Sequence, residues 1–185
     1  MKTLHLLRHA KSSWDDPHLD DQQRPLNQRG IDDCQLMAPA LMGVGCCFEH
    51  AYCSTAIRAK RTLQLISEHH FEPGMERLIS ASQLASVSID SSLYTFDWGE
   101  ALDYCQALPE TIDQALLVGH NPAFTELHDY LSTEHIEHLP TCAYVRLECA
   151  VNDWQELTRN CARTRYFITP KMLKQGLEIS PYPLS

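Results

Sequence analysis

Two rhythms of apolar positions alternate along the chain. Short, nearly continuous apolar runs read as buried strands, and apolar residues at every third or fourth position read as one face of a helix. Thr3 to Leu7 is such a run, and it ends at Arg8-His9. A polar stretch from Lys11 to Pro25 follows. Ile31, Cys34, Ala38 and Leu41 then share a helical face behind Asn27, a candidate N-cap. Pro39 lies inside that pattern and predicts a kink or an early end, because its ring removes an amide donor. Ala51 to Cys53 predicts a brief strand, Ser54 and Thr55 a cap, and Ala59, Leu63 and Ile66 the buried face of a second helix.

Further on, Leu78 to Ala81 is a candidate third strand, and the serine-rich segment Ser82 to Leu93 reads as loop. Trp98 to Leu108 reads as helix. Ala115 to Val118 is a buried strand that runs into Gly119-His120-Asn121-Pro122. Asn121 followed by Pro122 predicts an N-cap and a first helical position, for a helix carrying Phe124, Leu127 and Leu131. Ala143 to Cys149 and Trp154 to Thr158 alternate as a hairpin would, around Val151-Asn152-Asp153. From Thr169 onward the pattern assigns no element. Strand and helix alternating in this way predict an α/β fold with a largely parallel sheet, and the length predicts one domain, 1–185.

Charge narrows the function classes. Lys and Arg number 15 against 24 Asp and Glu, giving −9, which argues against broad nucleic-acid binding. No apolar stretch is long enough to span a membrane, and Met1 to Trp14 has no secretory pattern. The expectation is a cytosolic protein. Its eight cysteines contain no Cys-x-x-Cys pair and are expected to be free, mostly buried thiols. His135 and His138, with Glu134 and Glu137, are not in the order His-Glu-x-x-His and read as a solvated acidic turn. His69-His70 read as favourable company for a helix C-terminus.

Three predicted strand ends carry the chemistry. They are Arg8-His9-Ala10-Lys11, Ser54-Thr55-Ala56-Ile57-Arg58, and Gly119-His120-Asn121-Pro122. In an open α/β sheet, ligands sit beyond the carboxyl ends of the strands. Arg8, His9, Arg58 and His120 could therefore meet in one crevice suited to a phosphoryl group, since guanidinium matches phosphate oxygens in pairs. The start of the helix after His120 adds free N–H groups. Lys11 and Arg24 are candidates for the pocket mouth, and Trp14 for its wall. Asp21 is expected to pair with Arg24 or cap a turn, and Ser54 to cap a helix.

With Asp21-x-x-Arg24-Pro25-Leu26, Arg29-Gly30, Ser54-x-Ala56-x-Arg58-Ala59, Leu139-Pro140-Thr141-Cys142-Ala143 and Thr169-Pro170-Lys171 in this order, the chain resembles the histidine phosphatase superfamily, and within it the SixA-type phosphohistidine phosphatases. The resemblance implies a three-layer α/β/α fold of the phosphoglycerate mutase-like kind, with a mostly parallel central sheet and short insertions. It implies a His9 nucleophile that carries a phosphohistidine intermediate. Arg8, Arg58 and His120 would hold the phosphoryl oxygens, with Asn121 and Lys11 beside them. No metal or cofactor is implied, because the guanidiniums neutralise the charge. Ala10 stands where the superfamily usually has glycine.

The superfamily often supplies an acidic proton donor after the third strand. Asp90, Asp97 and Glu100 are the candidates here, and none stands in a matching pattern. An alkoxide leaving group needs a proton in the transition state, and an imidazole needs far less help. A weak or missing acid therefore tilts the expected substrate towards phosphohistidine on a protein. The rivals are a general or small-molecule phosphomonoesterase, a phosphate-recognition module without turnover, and a Cys/His metal protein. A mutase is disfavoured, since it must enclose its intermediate from water.

Overall fold

The structure is a computed structural model and describes residues 1–68 and 87–182. In chain order its elements are β1 (Lys2–Arg8), α1 (Gln28–Gly43), β2 (Ala51–Ser54), α2 (Ile57–Glu68), β3 (Ser88–Asp90), α3 (Trp98–Gln106), β4 (Gln114–Gly119), α4 (Ala123–Leu131), β5 (Tyr144–Cys149), β6 (Ala162–Ile168) and α5 (Pro170–Lys174). The strands form one sheet in the order β3-β2-β4-β1-β5-β6. β3, β2, β4 and β1 are parallel, whereas β5 is antiparallel to both β1 and β6.

Both faces of the sheet are covered, which is why the central strands read as continuous apolar runs. Side chains alternate between the faces. Leu4, Leu6, Ala115 and Leu117 pack with Leu102, Phe124, Leu127 and Trp154, on the side of α3 and α4. Leu7, Leu116 and Val118 pack with Met37, Leu41, Leu63 and Ile66, on the side of α1 and α2. Among the described residues, no helix is long and apolar enough to cross a membrane. All eight cysteines are free, six of them buried.

Several expectations are corrected. Of the kink or early end expected at Pro39, the early end does not occur: helix α1 runs on to Gly43. Pro39 and Gln35 face solvent, so the carbonyl that the proline leaves unpaired lies on the wet side of the helix. The segment read as loop to Leu93 contains β3 and a 3₁₀ turn at Ser91–Leu93, where Asp90 accepts from the Ser92 amide at 2.9 Å. Trp154 to Thr158 is not a strand. Trp154 is fully buried and donates from Nε1 to the Ile112 carbonyl at 2.8 Å, while Asp153 and Glu156 close a capping box around a 3₁₀ turn. The strand that pairs with β5 is β6, from Cys149 opposite Ala162 to Tyr144 opposite Ile168. Asn121 is not the cap of α4: that helix starts at Ala123 with Pro122 before it, after a cis Asn121–Pro122 bond. The unplaced tail begins with α5, which Thr169 caps by accepting from the Met172 amide at 3.2 Å. The candidate strand at Leu78–Ala81 and the pair His69-His70 lie outside the described residues.

Candidate active site

β2, β4 and β1 are neighbours in the sheet, and all three end at the same edge. Arg8 closes β1 opposite Gly119, the last residue of β4. The residues that follow β1 and β4, His9 and His120, enter the crevice. The His9 amide donates to the Gly119 carbonyl at 3.0 Å, which fixes His9 relative to His120. From the other side, the Arg8 amide donates to Ala143 at 3.0 Å and the Cys142 amide to the His9 carbonyl at 3.1 Å. A side chain on Gly119 would place its Cβ 2.6 Å from Phe124 Cζ, so glycine is what lets α4 pack directly under this strand end. Arg58 arrives from the first turn of α2.

Three of the side chains predicted from sequence thus meet, and the fourth, Arg8, stands near enough for its charge to act on His9. Arg58 Nε donates to His9 Nε2 at 3.3 Å, and Arg58 Nη2 to His120 Nδ1 at 3.4 Å. The two imidazole centroids are 5.0 Å apart. His9 is 8% exposed and His120 1%.

The partners fix the ring hydrogens. The Ala10 carbonyl can only accept, and it lies 2.7 Å from His9 Nδ1, so Nδ1 carries the hydrogen and Nε2 the lone pair. Arg58 can only donate, so His120 Nδ1 is the acceptor and Nε2–H donates to Ser54 Oγ at 2.7 Å. Burial pushes the His9 pKa down to about 4; its hydrogen bond to Ala10 opposes this, and the charges of Arg58 and Arg8 add to it. Burial, then His9 and Arg58, push His120 down to about 3. Both rings are neutral at physiological pH, and His9 presents an unprotonated nitrogen among two guanidiniums. That is the state a nucleophile needs.

These shifts also set an acid limit to stability. Burial holds His5 at about 4 as well, with its Nδ1 2.6 Å from the Tyr144 hydroxyl. Between about 6.5, where an unfolded histidine gains its proton, and these folded values, the unfolded chain binds more protons. Stability therefore falls as pH drops through that window, by on the order of 3 kcal/mol for each of the three rings. The thermal midpoint is expected to decline steadily from pH 6.5 to 4. A midpoint that stays level there contradicts neutral, buried imidazoles.

A second layer holds Arg58. Its Nη2 donates to Asp21 Oδ2 at 2.7 Å and its Nη1 to the Asp21 carbonyl; Tyr94 donates its hydroxyl to the same Oδ2 at 2.7 Å. Burial works against the Asp21 charge, but the hydrogen bonds from Tyr94 and Arg58 outweigh it and leave its pKa lowered. The expected partner, Arg24, stands farther off, with Nε 3.9 Å from Asp21 Oδ1, and lies over the exposed Trp14 ring at 4.0 Å. Buried Thr62 ties the first and second motifs together. Its Oγ1 accepts from the Ala10 amide at 2.9 Å and donates to the Arg58 carbonyl at 2.7 Å. The rings of Tyr94 and Phe96 each lie 5.3 Å from His120, and Phe96 is 45% exposed. Thr62, Tyr94 and Phe96 carry no motif and were not singled out from sequence; the spacing of Thr62 one turn after Arg58 is a local signal that could place the two on one helix face.

At the outer side, Arg8 Nη1 donates to the Leu139 carbonyl at 2.8 Å and to His138 Nε2 at 3.1 Å. Asn121 Nδ2 donates to the same carbonyl at 3.0 Å and to Thr125 Oγ1 at 2.7 Å. His138 is exposed, as the solvated-turn reading expected, yet it stands against Arg8 rather than apart from the site. Lys11 enters through its backbone. Its carbonyl accepts from Asn27 at 3.0 Å and would lie 2.3 Å from a Cβ on residue 30, so Gly30 is required for α1 to approach this loop.

The three candidate acids are engaged by their own segment. Asp90 caps the 3₁₀ turn, Asp97 accepts from the amides of Gly99 and Glu100 at 2.7 and 3.1 Å as the N-cap of α3, and Glu100 accepts from Thr95 Oγ1 at 2.5 Å. Among the described residues, no group of three or more His, Cys, Asp or Glu is arranged to hold a metal ion.

Residues 4–80 match the histidine phosphatase superfamily (branch 1). An uncharacterized chloroplastic protein of Arabidopsis thaliana is 30% identical over 162 residues, covering 84% of this chain and 70% of that protein. An uncharacterized protein of Mycobacterium tuberculosis is 27% identical over 175 residues, covering 89% of this chain and all of its own length. Among solved structures, the protein histidine phosphatase SixA complexed with tungstate superposes with a TM-score of 0.71 at 24% identity, covering 92% of this chain and 99% of that one. A mycobacterial glucosyl-3-phosphoglycerate phosphatase superposes with a TM-score of 0.56 at 14% identity, covering 91% and 98%. The phosphoglycerate mutase-like α/β fold is thereby shared.

Proposed function

The chain belongs to the histidine phosphatase superfamily, and on that premise we propose that it is a metal-independent phosphatase with His9 as its nucleophile. One observation carries this reading: a neutral imidazole whose free Nε2 lies within reach of a buried guanidinium, beside a second arginine and a second neutral imidazole. His9 Nε2 attacks phosphorus, and the bond to the leaving atom breaks with its electron pair on that atom. Arg8 and Arg58 bind the equatorial oxygens, where charge is spread in a loose transition state. His120 and Asn121 complete the pocket, and Lys11 lies at its edge. Water then attacks the phosphorus of the phosphohistidine, and inorganic phosphate leaves.

The substrate class we propose is phosphohistidine on a protein. Asp90, Asp97 and Glu100 are all tied into caps, which supports a reaction that does not rely on a carboxylic acid to protonate an alkoxide. SixA is described as a protein histidine phosphatase, and its fold is the one seen here. The same fold serves a glucosyl-3-phosphoglycerate phosphatase, so a small phosphorylated molecule is the competing substrate. The test compares a phosphohistidine-bearing protein with an alkyl phosphate, in excess chelator. The expected kcat/KM is at least about 10²-fold higher on phosphohistidine, because a departing imidazole needs far less protonation than an alkoxide. Equal rates rule out the preference for P–N bonds and move the assignment to a general phosphomonoesterase.

A further inference from the structure

We propose that His138 is the proton donor to the leaving group, an inference that rests on the phosphatase reading above. Three observations point to it. The first is contact: His138 Nε2 lies 3.1 Å from Arg8 Nη1, and its Nδ1 lies 3.5 Å from Asn121 Nδ2, so the ring spans two residues of the proposed phosphate pocket. The second is depth. His9 and His120 are buried, Arg8 is half-buried, and His138 is exposed, so a path outward along Arg8 ends on this imidazole. The third is anchorage. The loop that carries His138 is fixed on both sides of it: Ile136 donates its amide to Asp129 Oδ1 at 3.1 Å, and Leu139 donates to Thr125 Oγ1 at 3.0 Å.

The reaction geometry gives that position its meaning. Attack by His9 Nε2 requires the leaving atom on the far side of phosphorus, in line with the attacking nitrogen. The far side from a buried imidazole is the solvent side. Arg8 grips the equatorial oxygens between the two, and His138 is a titratable side chain on the outer flank of Arg8. The other nearby donors are committed: the Tyr94 hydroxyl is given to Asp21, and the carboxylates after β3 serve as caps or hold Thr95.

The proton balance closes. Neutral His138 accepts from Arg8 through its Nε2 lone pair. Protonated, it cannot accept there, and it turns its Nε2–H towards the phosphorylated ligand. As the bond from phosphorus to the leaving nitrogen or oxygen breaks, that hydrogen passes to the leaving atom, and His138 becomes neutral. It then takes a proton from the water that attacks phosphohistidine, which restores the starting state. Proton transfer is most effective between groups of matched acidity, so an imidazolium donor suits a departing imidazole better than an alkoxide.

The test uses the full chain, as wild type, His138→Gln and His138→Ala, on 4-nitrophenyl phosphate and phenyl phosphate. Phenolate is the more basic leaving group and needs the proton more. Glutamine keeps an acceptor for Arg8 but cannot donate an acidic proton. For His138→Gln, kcat is expected to fall about 10²-fold on phenyl phosphate and about tenfold or less on 4-nitrophenyl phosphate. Free imidazole added to His138→Ala is expected to restore part of the phenyl phosphate rate. If His138→Gln slows both substrates by the same factor, or neither, His138 is at most a positioning residue and the proposal falls. If wild type turns over neither substrate, the phosphatase reading itself fails, and this inference with it.

Discussion

Replacing His9 with alanine is expected to lower kcat on an activated aryl phosphate by at least about 10³-fold, as deletion of a covalent nucleophile does elsewhere. The substitution removes the nitrogen that Arg58 Nε faces and leaves the guanidinium frame in place. The neighbouring ring, His120, is held in its own place, with Nε2–H given to Ser54 and Nδ1 facing Arg58 Nη2. Folding should survive, because the His9 backbone remains held by Gly119 and Cys142. The measurement is steady-state hydrolysis with excess chelator, and acid-labile phosphate on the wild-type chain should be absent from the variant. Full activity in His9→Ala places the nucleophile elsewhere. Wild-type activity that disappears with the chelator redirects attention to the histidines as metal ligands.

The second large effect is at Arg58. Its guanidinium touches His9, His120 and Asp21, and it is 4% exposed. Arg58→Ala should cost about 10³-fold or more in kcat/KM, the range lost when a transition-state arginine is removed from phosphoryl transfer. The pH profile should move as well. The Arg58 charge helps hold His9 and His120 at about 4 and 3, so without it both values rise. The fraction of neutral nucleophile then declines at a higher pH, and the acid limb shifts upward. Arg58→Lys restores the charge but not the planar fork, and should recover the position of that limb better than the rate. A variant within tenfold of wild type, with an unmoved limb, contradicts the role given to Arg58.

Local signals in the chain reach only as far as the strand or helix that carries them. Arg8, His9, Arg58 and His120 were legible because each lies at or just beyond a strand end, where an α/β sheet collects its ligands. β1 and β4 were legible because burial on both faces leaves an uninterrupted apolar run. What sequence missed depends on contacts between distant segments. Asp21 has Arg24 three residues away, and nothing local indicates that Arg58, 37 residues on, is its closer partner. His138 lies among acidic, solvated residues, and only the fold brings it to Arg8, 130 residues earlier. Trp154 to Thr158 has the alternation of a strand, but the buried indole and the capping box of Asp153 and Glu156 outweigh it. In the same way Asn121 has the chemistry of a helix cap, but α4 starts at Ala123 with Pro122 before it, and the Asn121 side chain is held at Leu139 and Thr125.

The adjacency of β2, β4 and β1 has an evolutionary consequence. Neighbouring strands are held about 4.8 Å apart by their backbone ladder, whatever side chains they bear. Arg8, His9 and His120 stand at the tips of that ladder, with Arg58 one short turn beyond it, so their spacing is inherited from the backbone. Tyr94, Phe96 and His138 belong instead to the two connections that lead into α3 and β5. Insertions or exchanges in those connections leave the strand-tip residues where the ladder puts them. The spacing of Arg8, His9 and His120 and the make-up of the surrounding connections are thus separately heritable in this architecture.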